Sequence, residues 1–202
     1  MKKIPVYKLR INEDDTDKSQ VEYIALVDEP AVMSNWIAFN KVQRFAADKD
    51  RNLIMGVAMI ANMPIFRMDD KMGEHYVVFD KEEIMKVVQK FFRKGYQGNF
   101  NLSHDPNQKK SGLYIIESFI IDESRGVAPP APFAGISDGS WIITVKVDNP
   151  EVMQNFIKTG EVKGFSIEGI FGYEDFGESD EKALEEIIEI VQSSINILDT
   201  NN

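Results

Sequence analysis

Short β-rich runs, each closed by a turn cluster, recur along most of this chain, and few segments between them carry a helical period. The runs lie at 4–11, 21–27, 53–61, 76–79, 113–121, Trp141–Val147 and 162–172. Their β-branched and aromatic residues, bounded by Gly, Pro, Asn and Asp, read as strands. The polar turn Asn12-Glu13-Asp14-Asp15-Thr16-Asp17-Lys18 separates the first two. Pro30 breaks the second, because the residue before a proline is held extended. Run 53–61 is continuously apolar and reads as a buried strand. Pro64 and Asp69-Asp70-Lys71-Met72-Gly73 mark the turn after it. Strands in this excess predict an α+β fold with a mostly antiparallel sheet, for which closure as a barrel is one solution.

The helical segments are well punctuated. Segment 81–94 has Asp80 as N-cap, Glu83 to complete a capping box, an apolar face of Ile84, Val87, Val88, Phe91 and Phe92, and Gly95 at C′. Asn149-Pro150-Glu151 opens a second helix with proline at N1 and Val152, Met153, Phe156 and Ile157 on its apolar side. Between them, the Pro/Gly loop 126–139 is long enough to suggest a functional or flexible segment. A last helix is expected over 180–198, after a Gly-rich acidic hinge at 172–177. Its Leu184, Ile188, Val191, Ile195 and Leu198 step by four and three, the spacing of a coiled-coil seam. The expected division is therefore a domain at 1–173 and an acidic hinge and helix at 174–202. That helix would dock on a partner or self-associate, with folding back on its own domain as the alternative.

Charge and composition narrow the chemistry. The chain has 202 residues, a net charge of −10 and no cysteine. Disulfides, thiolate metal sites and a cysteine nucleophile are excluded. Between 174 and 199 nine acids stand against Lys182 alone, so most of the negative charge belongs to the C-terminal segment. A surface of that sign does not suit nucleic-acid phosphates, and no nucleic-acid partner is expected. No apolar run approaches the roughly 18 residues of a membrane span, and no apolar leader follows Met1-Lys2-Lys3, so no membrane partner is expected either.

The two histidines, His75 and His104, show no HxxxH or HExxH spacing, and no nucleotide-binding glycine pattern is present. No metal and no cofactor are expected. Acid–base or serine chemistry remains. His104, in Asn101-Leu102-Ser103-His104-Asp105-Pro106, reads locally either as a surface turn histidine or as a base. Ser103, His104 and Asp105 cannot form a relay by adjacency, since neighbours on an extended chain point to opposite faces. Ser166, in Lys163-Gly164-Phe165-Ser166-Ile167-Glu168-Gly169, is either a half-buried strand serine or a nucleophile. Gly164 and Gly169 beside it would admit a close backbone. Glu117 interrupts the apolar run Ile115-Ile116-Glu117-Ser118-Phe119 and is either a rim residue or the carboxylate that orients a histidine.

Taken in order, these segments resemble a known family. The order is Ile24-Ala25-Leu26-Val27-Asp28-Glu29-Pro30-Ala31, the turn His104, the Glu117-Ser118-Phe119 strand, the Pro/Gly loop, Gly139-Ser140-Trp141, Thr159-Gly160-Glu161 and Lys163-Gly164-Phe165-Ser166-Ile167-Glu168-Gly169. Over roughly residues 4–173 the chain resembles the prophage-type serine proteases of the tailed-phage prohead (capsid maturation) protease group. The resemblance implies a β-barrel flanked by helices, related to the herpesvirus assemblins. It implies a serine endopeptidase that cuts scaffold and major capsid protein precursors inside proheads assembling in the host cytoplasm. Ser166 is implied as nucleophile and His104 as its base, with Glu117 as third member and Glu168 as runner-up on the strand face of Ser166. His75 matches no motif and is read as structural. The alternative is a non-catalytic capsid or scaffold-associated protein that retains the protease fold.

Overall fold

The computed structural model describes residues 4–28, 45–177, 182 and 184–190. Among the described residues twelve strands form three four-stranded sheets. The first has the order β12 (Gly172–Glu174), β1 (Val6–Arg10), β6 (Gly73–Val78), β5 (Ile65–Asp69). The second runs β3 (Ala46–Asp48), β4 (Leu53–Met59), β10 (Trp141–Val147), β9 (Leu113–Ile120). The third runs β11 (Gly164–Ile170), β2 (Gln20–Val27), β7 (Phe100–Leu102), β8 (Lys109–Lys110). Among the described residues the β1·β6 and β2·β7 ladders are parallel and the other ladders antiparallel. The fold is α+β and dominated by sheet, as expected. The ladders do not close into a barrel among the described residues, because each sheet ends in its own edge strands.

The main helix, α1 (Lys81–Arg93), starts where the sequence places it. Asp80 accepts from the Glu83 N–H at 2.8 Å, and Gly95 follows the C-terminus with φ of 73°. The capping box is only half made. The Glu83 side chain turns to the Ile11 N–H at 2.5 Å, so it ties the helix to the end of β1 instead of to its own cap. Ile84, Val87 and Phe91 point into the main core, where the Phe91 and Trp141 rings meet edge to face at 5.6 Å. Burying each such side chain contributes roughly 1.5–3 kcal/mol. α2 (Pro150–Val152) is capped by Asn149 and continues as a π-helical turn, Met153–Ile157.

Three expectations change. The stretch after Pro64 is a strand, β5, which makes a hairpin with β6. The loop 126–139 is anchored by Phe133 and Ile136, both buried against Ile121 and Ile142. The acidic hinge at 172–177 begins as β12, paired antiparallel to β1, with Glu174 bound to Arg10 and the Phe176 ring under Lys8. β1 already has β6 on one side, and its other edge accepts this last strand. Beyond it, residues 184–190 are helical and Ile187 is buried. The seam positions Val191, Ile195 and Leu198, and Glu29, Pro30 and Ala31 of the N-terminal motif, lie outside the described residues.

Two glycines allow close approaches at the third sheet, one to the second sheet and one between its own strands. At Gly56, on β4, an added Cβ would stand 2.8 Å from the Phe165 ring of β11. At Gly169 it would run into the Gln20 carbonyl of β2, at the point where β11 bulges after Glu168.

Candidate active site

β2 is the spine of the site. Its Ile24 N–H donates to the Asn99 carbonyl and its Leu26 carbonyl accepts from the Ser103 N–H, each at 3.0 Å, so both residues turn their main-chain groups toward β7. Backbone groups alternate sides along a strand. Tyr23, Ala25 and Val27 therefore turn toward β11, opposite Glu168, Ser166 and Gly164. On its other side Ala25 stands in register with Asn101 of β7. Residues in register share a sheet face. Ser166, the small Ala25 and Asn101 form one row, and Glu168 follows two residues along from Ser166 on the same face.

The polar groups of that face are linked. Asn101 is buried, and its Nδ2 donates to Glu168 Oε2 at 2.6 Å. The same Oε2 lies 3.5 Å from His104 Nδ1. His104 comes to that place through a tight turn: Ser103 and His104 have φ of 51° and 59°, two consecutive left-handed residues without a glycine. Each such residue costs of order 1–2 kcal/mol, and such conformations cluster at functional sites.

Ser166, His104 and Glu168 line one cavity of about 600 Å³. Ser166 is 5 % exposed. Among the described residues neither its hydroxyl nor His104 Nε2 has a hydrogen-bond partner, so both groups are open to a ligand. Most of the wall is apolar, with Met59, Ile60, Ile65, Phe79 and Phe171 contributing. Phe165 and Ile167, on either side of Ser166, turn their N–H and C=O groups away from β2. No ladder covers that edge of β11 among the described residues.

The structure brings Ser166, His104 and Glu168 together and does not bring Glu117 to them. Glu117 is exposed on β9, opposite Thr144, in a different sheet, and lines no part of the cavity. β9 is an edge strand with Tyr114 and Ile116 also exposed, so a carboxylate in that run costs little. His75 is fully buried, with Nδ1 on the Gly73 carbonyl at 2.9 Å and its ring against Tyr7 and Tyr173. Sequence reasoning passed over Asn101 as a functional residue. Its signal was present: a lone amide between Phe100 and Leu102 in a run that is otherwise apolar.

The model of a family described as Putative phage serine protease XkdF matches residues 41–174, a span that holds His104, Ser166 and Glu168. The chain belongs to this family. This phage serine protease is accordingly a serine endopeptidase, a hydrolase of peptide bonds. No curated protein and no solved structure matches it. Among the described residues no helix is long and apolar enough to cross a membrane.

Proposed function

We propose that this phage serine protease is a prohead maturation endopeptidase, cutting scaffold and major capsid protein precursors inside proheads assembling in the host cytoplasm. The supports are the family and the order of motifs shared with the prohead protease group. The observation that carries the mechanism is a single cavity lined by Ser166, His104 and Glu168, with the carboxylate 3.5 Å from His104 Nδ1. In this reading the three sheets are an assemblin-type barrel left open at the substrate cleft.

Glu168 holds the proton on Nδ1, which leaves Nε2 as the base facing the cavity. Ser166 Oγ attacks the scissile carbonyl carbon while Nε2 takes the hydroxyl proton. The carbonyl electrons move to oxygen, and the oxyanion is held by N–H donors. Its collapse expels the amine, which takes the proton from the imidazolium. Water then repeats the sequence on the acyl-enzyme and restores Ser166. The uncovered edge of β11 suits a substrate strand, since the main-chain groups of Phe165 and Ile167 can pair with it and lay its carbonyl beside Ser166. The acidic C-terminal segment is read as the contact to scaffold or to a second copy.

Co-expression with scaffold and capsid precursors tests the reading. Wild type is expected to process them, and Ser166→Ala and His104→Ala each to abolish processing while remaining folded by circular dichroism. A fluorophosphonate should label wild type at Ser166. Wild-type processing by either variant would sink the assignment.

A further inference from the structure

Arg67 lies on β5, an edge strand, and lines the same cavity as Ser166. Its surroundings differ from those of the other described arginines. Arg10 reaches Asp80 and Glu174, Arg51 reaches Asp48, Arg93 reaches Asp15 and Arg125 reaches Asp122. Arg67 has no carboxylate within ion-pair distance among the described residues; its guanidinium donates only to the Phe66 carbonyl, at 3.1 Å. That isolation stands out in a chain of net charge −10.

Arg67 is exposed, at the rim of the cavity, with one side of its guanidinium against the wall. Desolvation lowers its pKa, and the nearby Tyr173 phenol, another lining residue, only partly opposes this. A guanidinium at the rim of a cavity with no carboxylate of its own chain keeps most of its donors free for an incoming acceptor. Planar forked donors match a carboxylate with two parallel hydrogen bonds. The other charged group on the wall, Glu168, is already engaged by Asn101 and His104.

We infer that Arg67, on the cavity wall that Tyr173 also lines, forms a specificity subsite for an Asp or Glu side chain of the substrate polypeptide. The inference rests on the cavity being the peptidase cleft proposed above. A substrate strand along β11 would cross the cavity with alternate side chains facing its walls, and an acidic one would complete the ion pair that Arg67 lacks within its own chain.

A set of fluorogenic peptides, blocked at both ends so that no terminal carboxylate remains, tests this. Each position is varied in turn through Glu, Gln, Lys and Ala. Wild type is expected to favour Glu over Gln at one position by about two- to fivefold in kcat/KM, in line with one ion pair at a solvent-exposed arginine. Arg67→Gln should bring that ratio close to one, and Arg67→Glu should invert it toward Lys. Binding of the same peptides to Ser166→Ala gives a readout independent of turnover. Ser166-dependent cleavage with no acidic preference, or a preference that survives in Arg67→Gln, overturns the subsite and leaves the protease reading standing. Arg67-dependent binding of Glu peptides without cleavage by wild type keeps the subsite and removes the proposed activity. Neither binding preference nor cleavage removes both.

Discussion

The sequence points to Glu117 as the third member of the site, with Glu168 as runner-up, and the structure reverses that order by what holds each carboxylate. Glu168 is fixed by Asn101 and stands beside His104, whereas Glu117 faces outward on β9. Glu168→Gln is therefore expected to lower kcat by roughly 10²–10⁴, the range in which loss of an orienting carboxylate falls. Glu117→Gln should stay within about twofold of wild type, because nothing on the cavity wall depends on it. The reverse pattern in steady-state kinetics would return the role to Glu117. Asn101→Ala removes a hydrogen bond to a charged group, worth about 1.5–3 kcal/mol. It should cost about tenfold in kcat and alter the pH profile of kcat/KM, a change that a loss of packing alone would not produce. Ser166 and Glu168 were legible as one strand face because alternation is local. The approach of His104 was not legible: the turn is marked by Asp105 and Pro106, but the approach depends on β7 lying parallel to β2 and on two left-handed residues, Ser103 and His104, neither of them glycine.

Lys90 shows how a single helix position organises a loop. Its position on α1 is 1 % exposed, and Nζ donates to the carbonyls of Asn12, Asp14, Asp17 and Ser19 at 2.7–3.2 Å. The polar turn between β1 and β2 is thus wrapped around an ammonium group. Lys90→Met keeps the apolar stem and leaves the carbonyls without that donor. The loss should be about 3 kcal/mol, since water can reach part of the turn. For a chain of this size Tm would fall by about 6–12 °C. A melt within 2–3 °C of wild type, about 1 kcal/mol by the same scaling, would show that the turn is held by other means. The sequence marked both α1 and the turn, but not their contact, because a lysine inside a helix normally reads as surface. β5 was missed for a related reason: it follows Pro64, exposes Arg67, Met68 and Asp69, and offers only Ile65 and Phe66 as partly buried residues. β12 read as a hinge because its single glycine, tyrosine and glutamate carry no strand pattern. Its pairing is supplied by the free edge of β1.

Across the whole molecule, opposing titrations set the response to acid. The carboxyl of Asp14 is lowered by the Thr16 N–H, that of Asp17 by the Ser19 hydroxyl, that of Asp48 by the Arg51 N–H and that of Asp69 by the Met72 N–H. The Ser124 hydroxyl and Arg125 hold Asp122 at about 2. Each of these groups binds its proton less tightly in the folded chain than in the unfolded one, where Asp titrates near about 3.9. Their contribution is complete above the unfolded value and is lost as pH falls through the folded value. Glu83 works the other way. Burial raises its pKa although the Ile11 N–H, Lys86 and Arg10 draw it down, so its protonation at falling pH favours the folded state. Among the carboxyl groups of the described residues with a shifted pKa, one raised group stands against five lowered ones. Net charge adds a separate effect: between neutral pH and the sequence pI of about 4.8, self-repulsion from the −10 charge is relieved. The urea midpoint is therefore expected to hold or rise slightly from pH 7 to about pH 5, the approach to that pI. It should then fall from about pH 4 toward pH 2, the window between the unfolded Asp value and that of Asp122. Asp122→Asn should flatten the last part of that fall, since it removes the group with the lowest value. A midpoint that keeps rising down to pH 2, or a fall as steep in Asp122→Asn as in wild type, would contradict this account.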